Sequence, residues 1–374
     1  MKMKLKNNYN ECLTNLACSI SKYFGVSYKH NTLDYIDTLL EEKKPKNVIT
    51  ILLDGMGNSL LDKHLTKDSF FIKNRIKSIS TVFPATTVAA TTSMRTGLNP
   101  CETGMLGWTM YFDECDDTIV TYTKSLKCDE NNKVLQSAIE YMDKYLTQKE
   151  VTDLINEETT FKGYKVVPYD DEKYIDLDDM FNKIENICNN NEKKYIYSYC
   201  DEPDYTLHDL GTNNSEIKDI IINMQDRVYK LAQKINDTII FVVADHGHLE
   251  TENIFLENYQ DFLNCLEELP SIEPRATAFF VKNNMKKTFE YLFKKYFGKY
   301  FYLFTKSEII NMKLFGDGEE NKKFRSELGD YIAISYTKKA FIYKGDYPLI
   351  SQHSGYSDEE VFVPLIVIDT NEVK

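Results

Sequence analysis

Only six of the 374 residues are histidine and one is tryptophan, and the eight cysteines form no Cys-x-x-Cys pair. Those cysteines, at 12, 18, 101, 115, 128, 188, 200 and 265, are scattered and predict reduced thiols in a cytoplasmic protein. No apolar run approaches the roughly 20 residues of a membrane span, so no membrane partner is expected. The opening MKMKLKNNYNECL carries lysines but lacks the apolar core of a signal peptide, an expectation that agrees with the cytoplasm. Basic clusters are missing too. With 45 basic against 58 acidic side chains the net charge is −13, which argues against a long nucleic acid as partner. That balance leaves room for a small phosphate ester held by metal ions.

The length allows a large core and suggests about two domains. Residues 1–46 read as helical and peripheral. Residues 48–53, VITILL, form an uninterrupted apolar run of the kind found in a buried parallel strand. The run stops at Asp54, followed by Gly55 and Gly57. An acid there is either a turn residue or a ligand-binding group, since open α/β sheets place ligands beyond the carboxyl ends of their strands. Two further runs repeat the pattern. Residues 195–199 lead into DEPDYTLHD, where Asp204 and His208 are four apart and share one helical face, able to grip one cation. Residues 238–244 lead into Asp245-His246-Gly247-His248, with His248 read as a supporting or exposed residue in preference to a ligand.

Between the first two runs lies ISTVFPATTVAATTSMRTGLNPCETGMLGW, residues 79–108. Its small residues predict a helix that starts near Thr87 and ends near Thr96, before Gly97, with Pro100 beyond as a stop signal. Thr86 or Thr87 then either caps the helix or presents a hydroxyl to an anion held by the unpaired N–H groups. Residues 109–190 read as surface excursions and helices, including an acidic stretch at 169–172. An amphipathic helix follows, with Ile217, Ile220, Ile221, Met224, Val228 and Leu231 as core packing. Residues 251–345 read as an inserted α+β cap, with an aromatic-rich helical piece over 289–304. The loop carrying His353 precedes a last strand over 361–368.

In chain order, Asp54, Thr87, Asp204, His208, Asp245, His246 and His353 supply three carboxylates, three imidazoles and a hydroxyl. That set holds enough oxygen and nitrogen donors for two zinc-like ions with open positions. At this point the chain resembles the alkaline phosphatase superfamily, and in particular its nucleotide pyrophosphatase/phosphodiesterase branch. FPATTVAATTSMRTGLNPCETGM is similar to that family's nucleophile helix, DEPDYTLH to its metal-binding Asp-x-x-x-His, and VVADHG to its Asp-His pair. The likeness spans residues 47–250 and 351–368.

The resemblance implies an α/β fold whose mostly parallel central sheet is sandwiched by helices, with a smaller α+β cap inserted. It divides the chain into a metal-binding core, 47–250 and 346–374, and a cap, 251–345. Asp54, Thr87, Asp245 and His246 would hold one Zn²⁺, and Asp204, His208 and His353 the other, with Mn²⁺ or another divalent ion as substitute. Thr87 would be the nucleophile, through a covalent phosphothreonine, toward a small phosphodiester or nucleotide-like pyrophosphate. The same frame also admits a phosphomonoesterase or phosphomutase, or a silent ligand-binding relative. Two positions depart from the pattern: Ala90 stands where the family has a phosphate-contacting Asn, and Val88 where an aromatic often stacks on a base. Asn58 is the candidate replacement donor, and Trp108 or Tyr111 the candidate stacking surface.

Overall fold

The computed structural model describes residues 5–170 and 173–373, so Asp171 and Glu172 of the expected acidic excursion lie outside the described residues. A six-stranded sheet runs in the order Arg75–Ser80, Phe362–Asp369, Thr238–Val243, Asn47–Leu53, Lys194–Cys200, Lys162–Val166. The three central apolar runs are its parallel middle, with Asn47 level with both Thr238 and Lys194. Phe362–Asp369 opposes the other five strands, pairing antiparallel with both Arg75–Ser80 and Thr238–Val243. The α/β class expected from the sequence is the one observed.

The edge strand Lys162–Val166 carries no sequence signal, and Arg75–Ser80 begins before the apolar residues that end at Phe83. Lys162–Val166 and Arg75–Ser80 face solvent over much of their length, and that exposure breaks the apolar run by which a strand is recognised. The amino-terminal segment is helical over Leu13–Phe24 and Asp34–Lys43, but it is not peripheral. Leu13, Leu16, Ile20 and Phe24 are buried in the same core as the central strands, and Cys18 Sγ reaches Gly97 O, just past the helix Thr87–Thr96. The helix Ser215–Lys234 buries Ile217, Ile221, Met224, Val228 and Leu231 into that core.

A second, seven-stranded sheet has four strands from the expected cap and three from residues 109–126. Strand Thr109–Phe112 meets Ser271–Ile272 at the seam. The smaller layer therefore draws on two separate stretches, because the polar 109–126 segment gains its apolar partner only through that long-range pairing. Along Tyr331–Ser335, Ile332 and Ile334 enter one apolar cluster while Tyr331 and Ala333 enter another, so both faces are covered. The aromatic helix ends at Tyr296, and Phe301–Thr305 is a strand rather than its continuation. Phe289, Phe293 and Phe297 pack inside the second cluster, each stabilising it by roughly 1.5–3 kcal/mol, and are not open to a ligand. Among the described residues no helix is long and apolar enough to cross a membrane.

Candidate metal centre

Three adjacent parallel strands end side by side, and each hands over an aspartate within four residues: Asp245, Asp54 and Asp204. The backbone locks these loops together, with Asp54 N donating to Cys200 O at 2.9 Å and Asp204 N to Asp54 O at 3.1 Å. Gly55 adopts φ +71, and a Cβ there would come within 3.0 Å of Asp204 Cβ and His248 Cδ2. Only glycine allows both the turn and the approach. On the facing side, Thr87 opens the helix Thr87–Thr96, whose first-turn N–H groups lack intrahelical partners.

The hydroxyl of Thr87 lies 3.2 Å from His246 Nε2 and 3.5 Å from Asp54 Oδ1. His246 Nε2 is in turn 3.3 Å from Asp54 Oδ1 and 3.5 Å from Asp245 Oδ2. Four donors on a tetrahedral ion with arms of about 2.0 Å stand about 3.3 Å apart, and these separations are close to the edges such a site would have. Asp245 Oδ1 accepts from Gly55 N and His246 N, whereas its buried Oδ2 has no hydrogen-bond partner. Tyr199 donates to the other oxygen of Asp54 at 2.5 Å. Burial, and then the charges of Asp245 and Asp204, push the Asp54 carboxyl well above its usual range. Burial also raises Asp245. A divalent cation relieves this crowding of buried negative charge. The residues fit the group.

A second cluster adjoins the first. His208 Nε2 stands 3.3 Å from Asp204 Oδ2, another tetrahedral edge, and His353 Nε2 is 4.0 Å from Asp204 Oδ1. Burial lowers His208, yet Asp204 carries it up to about 9. Burial would raise Asp204, but His208 and His248 together outweigh it and hold the carboxyl well below the usual carboxylate range. The rings of His246 and His353 stack 3.8 Å apart, linking the two groups.

Backbone carbonyls orient the imidazoles. His208 Nδ1 donates to Ser351 O at 2.9 Å, His353 Nδ1 to Ala85 O at 3.1 Å and His246 Nδ1 to Gly247 O at 3.3 Å. Because a carbonyl only accepts, Nδ1 is the donor in each ring, and in the neutral form that ligates a metal Nε2 turns a lone pair inward. All seven residues expected at the metals are thus brought together. An eighth joins them: His248 is neither supporting at a distance nor exposed, but buried with Nε2 against Asp204 Oδ1. Its signal in the sequence was the two-residue spacing from His246, which returns a side chain to the same side of an extended loop.

The candidate substrate residues divide. Trp108 lines a cavity of about 500 Å³ that also takes in Thr87, Asp204, His208 and His353. Asn58 does not reach it, since its side chain is engaged with Ser78 and Arg75. Tyr111 is also elsewhere, its hydroxyl on Asp116 and its ring 4.7 Å from that of Phe280. Arg275, a cationic residue of the cap, offers the cavity no clamp, being fully buried and gripping Glu360 through two hydrogen bonds. Glu273 was not foreseen. It lines the cavity and accepts from Thr86 Oγ1 at 2.5 Å and Trp108 N at 2.8 Å. Its burial, against those two bonds, pushes it up to about 7. Nothing in its local sequence marks it, because its partners lie more than 160 positions away.

The family model for type I phosphodiesterase / nucleotide pyrophosphatase matches residues 48–356. Human ectonucleotide pyrophosphatase / phosphodiesterase 5 superposes at TM-score 0.65 and 15% identity, covering 86% of this chain and 87% of that one. The murine protein of the same name superposes at TM-score 0.64 and 16% identity, covering 85% and 87%. It matches equally as an inactive threonine-to-alanine variant in complex with AMP. No curated protein matches in sequence.

Proposed function

The chain belongs to the type I phosphodiesterase / nucleotide pyrophosphatase family, and from that premise we propose that it hydrolyses a small nucleotide-like phosphodiester or pyrophosphate through an ester on Thr87. The observation that carries this reading is the position of the Thr87 hydroxyl, 3.2 Å from His246 and 3.5 Å from Asp54 at a helix N-terminus. Asp54, Thr87, Asp245 and His246 would hold one divalent ion, zinc or manganese, and Asp204, His208 and His353 a second. Bound there, such ions lower the pKa of a coordinated hydroxyl or water and offset charge on phosphoryl oxygens.

Thr87 Oγ1 attacks phosphorus in line, forming an O–P bond as the bond to the leaving oxygen breaks and that oxygen is protonated. Water then attacks the same phosphorus, splits the Thr87 ester, restores the hydroxyl and releases a phosphate monoester. The free N–H groups of the first helical turn face the non-bridging oxygens. Ala90 offers no side-chain donor, and its N–H is spent on Thr86 O at 2.9 Å, so these N–H groups and the ions carry that charge.

A diester carries one charge, a monoester nearly two, and the second asks for a further cation. The one Lys or Arg lining the cavity among the described residues is Lys127, already held by Asp346 and Pro270 O. Arg95 is paired with Glu150 at 2.7 Å. Diesters are therefore the favoured class. The murine relative's inactive variant in complex with AMP supports a nucleotide half in the substrate, and the half-exposed Trp108 offers a stacking wall. All eight cysteines are unpaired, which suits a reducing compartment and supports a cytoplasmic location.

The test compares kcat/KM for the nitrophenyl ester of a nucleoside monophosphate with that for nitrophenyl phosphate, in Zn²⁺ or Mn²⁺. The diester should be faster, and acid quench should trap a nucleotidyl adduct on the Thr87 peptide. Faster monoester turnover would promote the phosphomonoesterase reading, and an adduct elsewhere would remove Thr87 as nucleophile.

A further inference from the structure

His248 makes two polar contacts, and together they leave its inner nitrogen bare. On one side Nδ1 lies 3.1 Å from Ser351 Oγ. That hydroxyl has a single proton, which it donates to Leu207 O at 2.6 Å. Toward His248 the oxygen can therefore only accept, so Nδ1 carries the ring proton. In the neutral ring Nε2 is then a lone pair, and it faces Asp204 Oδ1, an atom that also has only lone pairs to offer. Two acceptors in contact repel unless they share a positive charge, either a second ring proton or a metal ion bound by both. His248 is 3% exposed, so solvent does not screen the contact.

The surroundings supply further donors, as a metal ion would need. Asp204, His246, His248 and His353 each offer one donor atom, all within 4.8 Å of one another. His208 approaches the other oxygen of Asp204 at 3.3 Å. Building on the two-ion reading above, we propose that His248 is a metal ligand, completing with Asp204, His208 and His353 a site of three imidazoles and one carboxylate. Ser351 is its positioning residue. The Ser351 hydroxyl fixes His248 and its carbonyl fixes His208, so one residue aims two imidazoles at one aspartate. Its strand Ser351–Gln352 pairs antiparallel with Leu249–Glu250, directly after His248, which sets the spacing of the two loops.

Four protein donors fill a four-coordinate ion. A substrate oxygen then needs a fifth position, which favours ions that accept five or six ligands, Mn²⁺ and Co²⁺ among them.

The experiment measures binding of Zn²⁺ and Co²⁺ to the metal-free full chain, by calorimetry and by the visible absorption of bound cobalt. Wild type is compared with His248→Ala, His248→Asn and Ser351→Ala. The Asn variant keeps a donor near the Nδ1 position for Ser351 but lacks the inner nitrogen. Expected is that His248→Ala and His248→Asn both weaken one of two ions on the order of 100-fold and alter the cobalt spectrum. Ser351→Ala should weaken the same ion less.

Restoration of wild-type affinity and spectrum by Asn would make His248 a packing residue and overturn the proposal, as would unchanged binding in both variants. If His248→Ala does not fold in chelator, His248→Asn alone gives the readout. A wild-type chain that binds one ion, lost in both variants, would keep His248 as a ligand and remove the two-ion reading. A wild-type chain that binds none overturns both.

Discussion

The hydroxyl of Thr86 donates to Glu273 Oε1 at 2.5 Å, one residue before a second threonine whose hydroxyl turns to Asp54 and His246 instead. Neighbouring side chains at a helix start diverge, because Thr86 keeps extended φ/ψ while Thr87 is already helical. The backbone thus separates two hydroxyls that the sequence left equivalent.

From that divergence, Thr87→Ala should abolish turnover while the protein still binds both ions, the hydroxyl being one donor among several. Thr86→Ala should retain measurable turnover. Steady-state rates and elemental analysis on the two variants check this, and a dead Thr86 variant beside an active Thr87 variant would move the nucleophile by one residue.

Asp204→Ala and His208→Ala should each lose one ion preferentially, since their inner atoms meet 3.3 Å apart while the Thr87 hydroxyl is partnered by Asp54 and His246 instead. Metal content measured on purified protein should fall from two ions toward one. Equal loss of both ions would mean that the clusters bind as a single unit.

Glu273 gives a pH signature. Its folded pKa is about 7 against an ordinary 4.5, so between those values the folded state holds a proton that the unfolded chain has released. Stability therefore falls as pH rises through that window, by up to about 3 kcal/mol, and is level above it. Glu273→Gln keeps both accepted bonds without the charge. Urea unfolding of both proteins in chelator at pH 5 and pH 8 should show the variant gaining relative stability at the higher pH. Parallel behaviour at the two pH values would contradict this.

The buried pair Arg275–Glu360 supports the site without touching it. Glu360 also accepts from Gly355 N and Ser357 N, and its carbonyl accepts from Gly247 N, so it ties the His353 loop to the His246 loop. Arg275→Met strands a buried carboxylate and should cost about 3–5 kcal/mol in unfolding free energy. The double variant Arg275→Met, Glu360→Gln should recover part of that loss, and a double variant as unstable as the sum of the singles would argue against a coupled pair.

The amino-acid sequence by itself determined the parts of the site that local signals encode. Apolar runs ending in Asp54 and in Asp245-His246, the i,i+4 pair Asp204 and His208, and the helix between Thr87 and Gly97 are each specified within a few residues. Buried parallel strands and helix ends follow from such short-range patterns. The tertiary structure alone decided the rest. It withdrew Asn58 and Tyr111 from the cavity, buried Arg275 on Glu360, brought residues 109–126 into the second sheet, and turned His248 onto Asp204. Each of those outcomes depends on partners from 5 to more than 160 positions away, and most on pairings between distant strands and loops. Which way a polar side chain turns is set by the donor or acceptor it meets there, and a local pattern of residue types does not carry that information.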